Sequence, residues 1–157
     1  MTRHFFGMLA SVLLVISVSA NGQSVNTEIE HGAAANREYA AVFSRSEKPC
    51  SQNYATMPYV DCMSKELKVI EAHLDAFVDD LRGMTLSHEE LDALNQTDAA
   101  WRAYRDTACK LPFKRFPTGT ISGPLSAECR WTLDRAYMKQ LSGVYILSQF
   151  PNRSPSQ

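Results

Sequence analysis

The chain lacks a Cys-x-x-Cys pair, a Gly-x-Ser-x-Gly elbow, a phosphate-binding glycine loop, a paired-histidine zinc helix and an EF-hand loop. Those absences remove the usual signatures of metal sites, serine hydrolases, nucleotide binding and calcium sensing. His88-Glu89-Glu90 has no second histidine where a zinc helix needs one. Isolated carboxylates such as Asp61, Glu66 and Asp106 act as an acid–base pair only if the fold unites two of them in a cleft. The expectation is a protein that is not an enzyme and takes neither a metal nor a cofactor. An excess of one charge is missing too, with 16 Lys and Arg against 17 Asp and Glu and a formal net charge of −1. Such a balance argues against nucleic acid or an anionic membrane surface as partner. No stretch alternates with period two for long enough to propose a sheet.

The one long apolar run, Phe5 to Val18, is too short for a membrane span and lacks a following stop-transfer pattern. Arg3 and His4 precede it and Val18-Ser19-Ala20 follows, which reads as a secretory signal peptide over residues 1–20. No cysteine lies near the cleavage point, so no lipid anchor is expected and the product should be soluble, periplasmic or secreted. Removing 20 of the 157 residues leaves 137, the size of one ordinary domain. One basic residue goes with them, which leaves a net charge of −2. Residues 21–48 read as a variable N-terminal segment, partly disordered, with a short helix between Asn36 and Arg45. Residues 49–148 read as the helical domain, and 149–157 as a polar tail.

Pro58 is placed to open a helix, and behind it Met63, Leu67, Ile70, Leu74, Phe77 and Leu81 recur at steps of four and three residues. That heptad-type seam predicts a helix over about 58–82, ended by Gly83 in a left-handed cap. Ser87 and Glu90 form a capping box, so the next helix should begin at about His88. Its expected buried stripe is Leu91, Leu94, Trp101, Tyr104, Ala108 and Leu111, until Pro112 stops it. The short connection after Gly83 makes these two helices antiparallel. A last helix opens at Pro124, with Leu125, Cys129, Thr132, Leu133, Ala136, Leu141, Val144 and Tyr145 inward, and is over by Pro151. The fold class is therefore all-α, an antiparallel helical bundle of three long helices plus a short N-terminal one.

Four cysteines, Cys50, Cys62, Cys109 and Cys129, remain after the export signal. An even count in an oxidising compartment reads as two disulfides. Zinc is the rival, and His31, His73 and His88 stand at no ligand spacing to these cysteines. The predicted topology puts all four at one end of the bundle, so all three connectivities survive. Sequential pairing is the expectation, because Cys50–Cys62 ties a loop to a helix start and Cys109–Cys129 closes the 112–123 loop.

Trp101 and Arg105 stand one helical turn apart, where a guanidinium can lie over the indole. Asp106 points about 100° away around the helix, so a basic group on another element is its expected partner. In the plainest reading Trp101 is core, Arg105 anchors a neighbouring element and Asp106 counterbalances it.

The set Trp101-x-x-x-Arg105-Asp106-x-x-Cys109, then Gly119-Thr120-Ile121, then Cys129 with Thr132-x-x-Arg135, preceded by Cys50 and Cys62, resembles the LprI-type lysozyme-inhibitor family of bacterial envelope proteins. The resemblance covers about Cys50 to Leu141. It departs from the family at Ala55-Thr56 and Pro58-Tyr59-Val60, and at Asp98, where relatives often carry glutamine. The resemblance implies an exported protein whose partner is a muramidase or other peptidoglycan-cleaving enzyme, and allows an immunity protein. The alternative is a non-inhibitory envelope interaction module. A muramidase cleft carries a carboxylate pair, so an inhibitor benefits from a rigid loop offering cations and hydroxyls. The 112–123 loop fits, with Lys114, Arg115, Thr118, Thr120 and Ser122 as partner-binding candidates. Its plainer reading is a helix connection whose Phe113 and Phe116 pack onto the bundle end.

Overall fold

The computed structural model describes residues 21–52, 55–84 and 86–146, with side chains from Asn26 onward. The expected signal peptide and polar tail lie outside the described residues. Five helices follow one another: α1 Asn21–Phe43, α2 Thr56–Gly83, α3 His88–Ala108, the short α4 Leu111–Arg115, and α5 Ser122–Tyr145. Among the described residues there is no strand. The disulfides pair sequentially as expected, Cys50 with Cys62 and Cys109 with Cys129. All four sulfurs are thereby withdrawn from any metal.

The α2 seam is the core of the molecule. Met63, Ile70, Leu74, Phe77 and Leu81 are each at most 1 % exposed, and Leu67 packs against them from a half-buried position. The apolar steps of four and three residues keep these side chains on one face, and Val78 widens it toward a second neighbour. α1 and α5 both pack on α2.

α1 departs most from expectation, since it starts at Asn21 and ends at Phe43 where the sequence predicts a short helix over 36–45. Ala33-Ala34-Ala35 favours helix intrinsically, and docking supplies the rest. Ala35 and Val42 are fully buried, Tyr39 stacks on Phe43 with ring centroids 4.2 Å apart, and both rings pack on the core. Along the same contact His31 Nδ1 lies 3.3 Å from Asp80 and His73 Nδ1 lies 2.6 Å from Glu38. Gly83 does not form the expected left-handed cap, for no glycine among the described residues has positive φ. Its lack of a side chain serves packing instead: a Cβ there would collide with the His31 ring.

The capping box is present, Ser87 Oγ accepting from the Glu90 N–H and Glu90 Oε2 accepting from the Ser87 N–H at 2.8 Å. From there α3 runs back along α2, as its ion pairs show. Asp98 pairs with Arg82 and Arg102 pairs with Asp75, so partners later in α3 lie earlier in α2. The buried face of α3 differs from the predicted stripe. Leu94, Asp98 and Arg105 are buried, whereas Tyr104 and Leu111 are 60 % and 63 % exposed. α3 ends at Ala108, and Pro112 stands in the first turn of α4 rather than terminating α3.

α5 is rotated relative to its predicted face. Trp131, Asp134, Tyr137, Met138, Leu141 and Ser142 are buried, while Thr132, Ala136 and Val144 are exposed. It begins at Ser122, two residues before Pro124, and ends at Tyr145. The predicted face followed apolar residues alone, and the buried one includes a carboxylate and a hydroxyl.

Candidate functional site

Two constellations share the end of the molecule cross-linked by Cys109–Cys129. The first is internal. Trp101 on α3 stacks on Tyr137 of α5 at 4.2 Å between centroids and 7° between planes, and Arg105 lies over the indole at 5.1 Å. Arg105 Nη1 donates to Asp134 Oδ1 at 3.0 Å. Arg105 also approaches Asp106 at 3.3 Å and Glu71 at 3.7 Å. Arg130 on α5 completes the network, 3.0 Å from Glu71 and 3.5 Å from Asp106. Asp106 thus meets a basic group on another element, as expected, but its shorter contact is with the adjacent Arg105, from which it was expected to point away.

Asp134 is the hub, and the sequence carries no sign of it. The residue is completely buried, and its Oδ2 has no hydrogen-bond partner among the described residues. Burial pushes its carboxyl up to about 6, against the attraction of Arg105. Burial acts on Arg105 in the opposite sense, but Asp134, Asp106 and Glu71 hold the guanidinium above its ordinary value. The folded state therefore keeps the Asp134 proton at pH values where the unfolded chain has lost it. Its contribution is fully present below about pH 4 and is lost as pH rises through about 6. Wild type is expected to lose stability relative to Asp134→Asn across that interval. Denaturant unfolding of both proteins at several pH values checks this, and a rising difference would contradict the assignment.

Arg135 closes the other side of α5. It donates to the Val42 carbonyl at 2.9 Å and lies over Phe43 at 4.6 Å and Trp131 at 5.5 Å, binding the end of α1 to α5. Trp101, Arg105, Asp106 and Arg135 are thereby occupied in holding helices together.

The second constellation faces outward. Every residue from Phe113 to Ile121 is exposed. The segment is nonetheless ordered by its own hydrogen bonds: Phe116 N–H to Pro112 O at 2.8 Å, Gly119 N–H to Phe116 O at 3.1 Å, and Ser122 Oγ to Gly119 O at 3.0 Å. Gly119 suits this turn because a Cβ would sit 3.3 Å from the Phe116 Cβ. Leu111, Phe113, Phe116 and Ile121 are 63 %, 49 %, 39 % and 50 % exposed. The two phenylalanines therefore do not pack down into the core. Lys114 and Arg115 make no ion pair among the described residues, and Arg115 only approaches the Phe116 ring, at 5.8 Å. Arg45, Arg82, Arg102, Arg105 and Arg130 each hold a carboxylate, whereas Lys48, Lys65, Lys68, Lys110 and Lys139, like Lys114 and Arg115, hold none among the described residues. Thr118 and Thr120 are exposed beside these cations. Ser122 is not available to a partner, since it is 7 % exposed and its hydroxyl is spent on the Gly119 carbonyl.

The family model described as Lysozyme inhibitor LprI matches residues 47–141. The chain belongs to the LprI lysozyme-inhibitor family. The match starts beyond α1 and takes in α2 through most of α5, with both disulfides. No curated protein and no solved structure matches the chain. LprI is described as a family of lysozyme inhibitors. Among the described residues no helix is long and apolar enough to cross a membrane.

Proposed function

We propose that this LprI-family protein is exported by its first 20 residues and binds and blocks a lysozyme-type or related peptidoglycan-cleaving enzyme through residues 111–121. The observation that carries this reading is the pairing of un-neutralised Lys114 and Arg115 with exposed Leu111, Phe113, Phe116 and Ile121 on a disulfide-closed segment. A glycosidase cleft holds two carboxylates flanked by apolar sugar-binding surface, so cations set among exposed rings complement it in charge and in hydrophobicity. Hydrogen bonding within the turn lowers the conformational entropy lost on docking. An immunity role, guarding the producing cell's wall against a rival's hydrolase, uses the same surface.

The test is titration of the oxidised protein against several muramidases while cell-wall clearing is followed, with calorimetry of the mixtures. Saturable inhibition with a measurable complex is the expected result. Neither inhibition nor heat with any of them would overturn the reading. Within a complex, the double variant Lys114→Glu/Arg115→Glu is expected to bind at least about tenfold more weakly, equivalent to about 1.4 kcal/mol. Its melting temperature should be unchanged, because neither side chain braces the fold. Unaltered affinity would move the binding surface elsewhere on the molecule.

A further inference from the structure

A cleft of about 460 Å³ opens beside the other disulfide, between the 47–51 turn, the start of α2 and the middle of α5. The segment 111–121 contributes nothing to it. Its volume falls within the roughly 300–1,000 Å³ typical of small-molecule sites. Tyr59 and Trp131 give it aromatic walls, Ser51 and Thr132 hydroxyls, Glu47 and Glu128 carboxylates, and Lys48 an ammonium group.

Three features mark it as a built site rather than a packing gap. Tyr59 donates its hydroxyl to Glu128 across 69 residues of sequence, fixing a carboxylate and a ring edge in one orientation. Trp131 lines the cleft while only 4 % exposed, and its indole N–H is buried without an acceptor among the described residues, so the ring responds to any change in its packing there. Cys50, within the 47–51 turn, has φ of 67°, a left-handed conformation that non-glycine residues rarely adopt. The bond to Cys62 holds that residue against α2. Backbone held in this way is characteristic of ligand-shaping turns.

We infer that this cleft binds a short neutral saccharide of one or two pyranose rings. Aromatic walls suit the apolar C–H faces of a sugar ring, and a mixture of carboxylate, hydroxyl and ammonium groups suits its hydroxyls and amide substituents. Two carboxylates against one ammonium disfavour an anionic ligand such as a phosphate ester. Glu128 and Thr132 also line a second groove, which Tyr104 and Leu133 border.

The probe is chitobiose, with cellobiose as a ring-matched sugar lacking the acetamido groups, titrated into the full oxidised protein and read by the indole N–H resonances. The chain has two tryptophans, so Trp131 is assigned by the loss of its signal in Trp131→Phe. Chitobiose is expected to shift the Trp131 resonance saturably while the Trp101 resonance stays in place. Glu128→Gln and Tyr59→Phe, both at partly or fully exposed positions, should each weaken that binding at least about fivefold with the melting temperature kept. No shift at Trp131 up to about 10 mM sugar, a range covering weak millimolar binding, would overturn the inference. So would a shift that both variants leave unchanged, or a response to an organic cation or a phosphate ester with none to either sugar.

Discussion

Arg105→Ala is expected to cost about 3–5 kcal/mol of folding stability at neutral pH, the range for removing one partner of a buried ion pair. The guanidinium is only 7 % exposed and Asp134 is fully buried, so truncation leaves a carboxylate in the core with one oxygen already unpartnered. The same substitution removes the cation from the Trp101 ring and loosens the link from α3 to α2 through Glu71. Loss of Arg105 raises the Asp134 carboxyl beyond about 6, so the cost should shrink as pH falls to about 6 and change little below that, where Asp134 is protonated in both folded proteins. Replacing both partners, as Arg105→Met with Asp134→Leu, is expected to recover most of the loss, because two desolvated charges give way to apolar volume. Denaturant unfolding of the two singles and the double measures the coupling directly. A single-variant loss below about 1 kcal/mol would place the pair among surface ion pairs of little consequence.

The same pair shows where the sequence stops being informative. α2 was legible because its buried face is wholly apolar, and Met63 through Leu81 repeat with the period that a helix packed on one side requires. The capping box was legible because Ser87 and Glu90 act locally. Four cysteines at one end of the predicted topology left all three connectivities open, and the sequential one, preferred for the loops it closes, is the one observed. α3 and α5 were misread because hydrophobicity assigns Asp98, Arg105, Asp134 and Ser142 to solvent, whereas each is buried and three of them are matched across a helix contact. Asp98, one of the departures from the family pattern, takes charges from both Arg82 and Arg102. α1 was shortened because its helix is stabilised by docking, through His31 over Gly83 and His73 on Glu38, and long-range contacts leave no local pattern. In the outward-facing segment, Lys114, Arg115, Thr118 and Thr120 were readable as a cationic, hydroxylated stretch. Its α4 turn and the inward hydroxyl of Ser122 were not, since two prolines and two glycines with no apolar period read as an irregular loop.

Replacing Cys109 and Cys129 together by alanine is expected to lower stability by about 3 kcal/mol and, separately, to weaken muramidase binding by tenfold or more. The bond spans 20 residues and contains the whole exposed segment 111–121, so its loss releases that segment from its closure as well as relaxing the unfolded chain. Ordering a freed segment on docking then opposes binding. Alanine is the substitution of choice because Cys109 is 2 % exposed and a serine hydroxyl there would be buried. The internal control is Cys50→Ala with Cys62→Ala. That bond spans 12 residues and carries a similar entropic estimate of about 3 kcal/mol, but it closes the turn at the saccharide cleft rather than the cationic segment. Both variants should therefore melt earlier than wild type, and at a temperature where both remain folded only the Cys109/Cys129 variant should lose affinity for the muramidase. Equal losses would mean that binding follows global stability, and retained affinity in the Cys109/Cys129 variant would take the inhibitory surface away from residues 111–121.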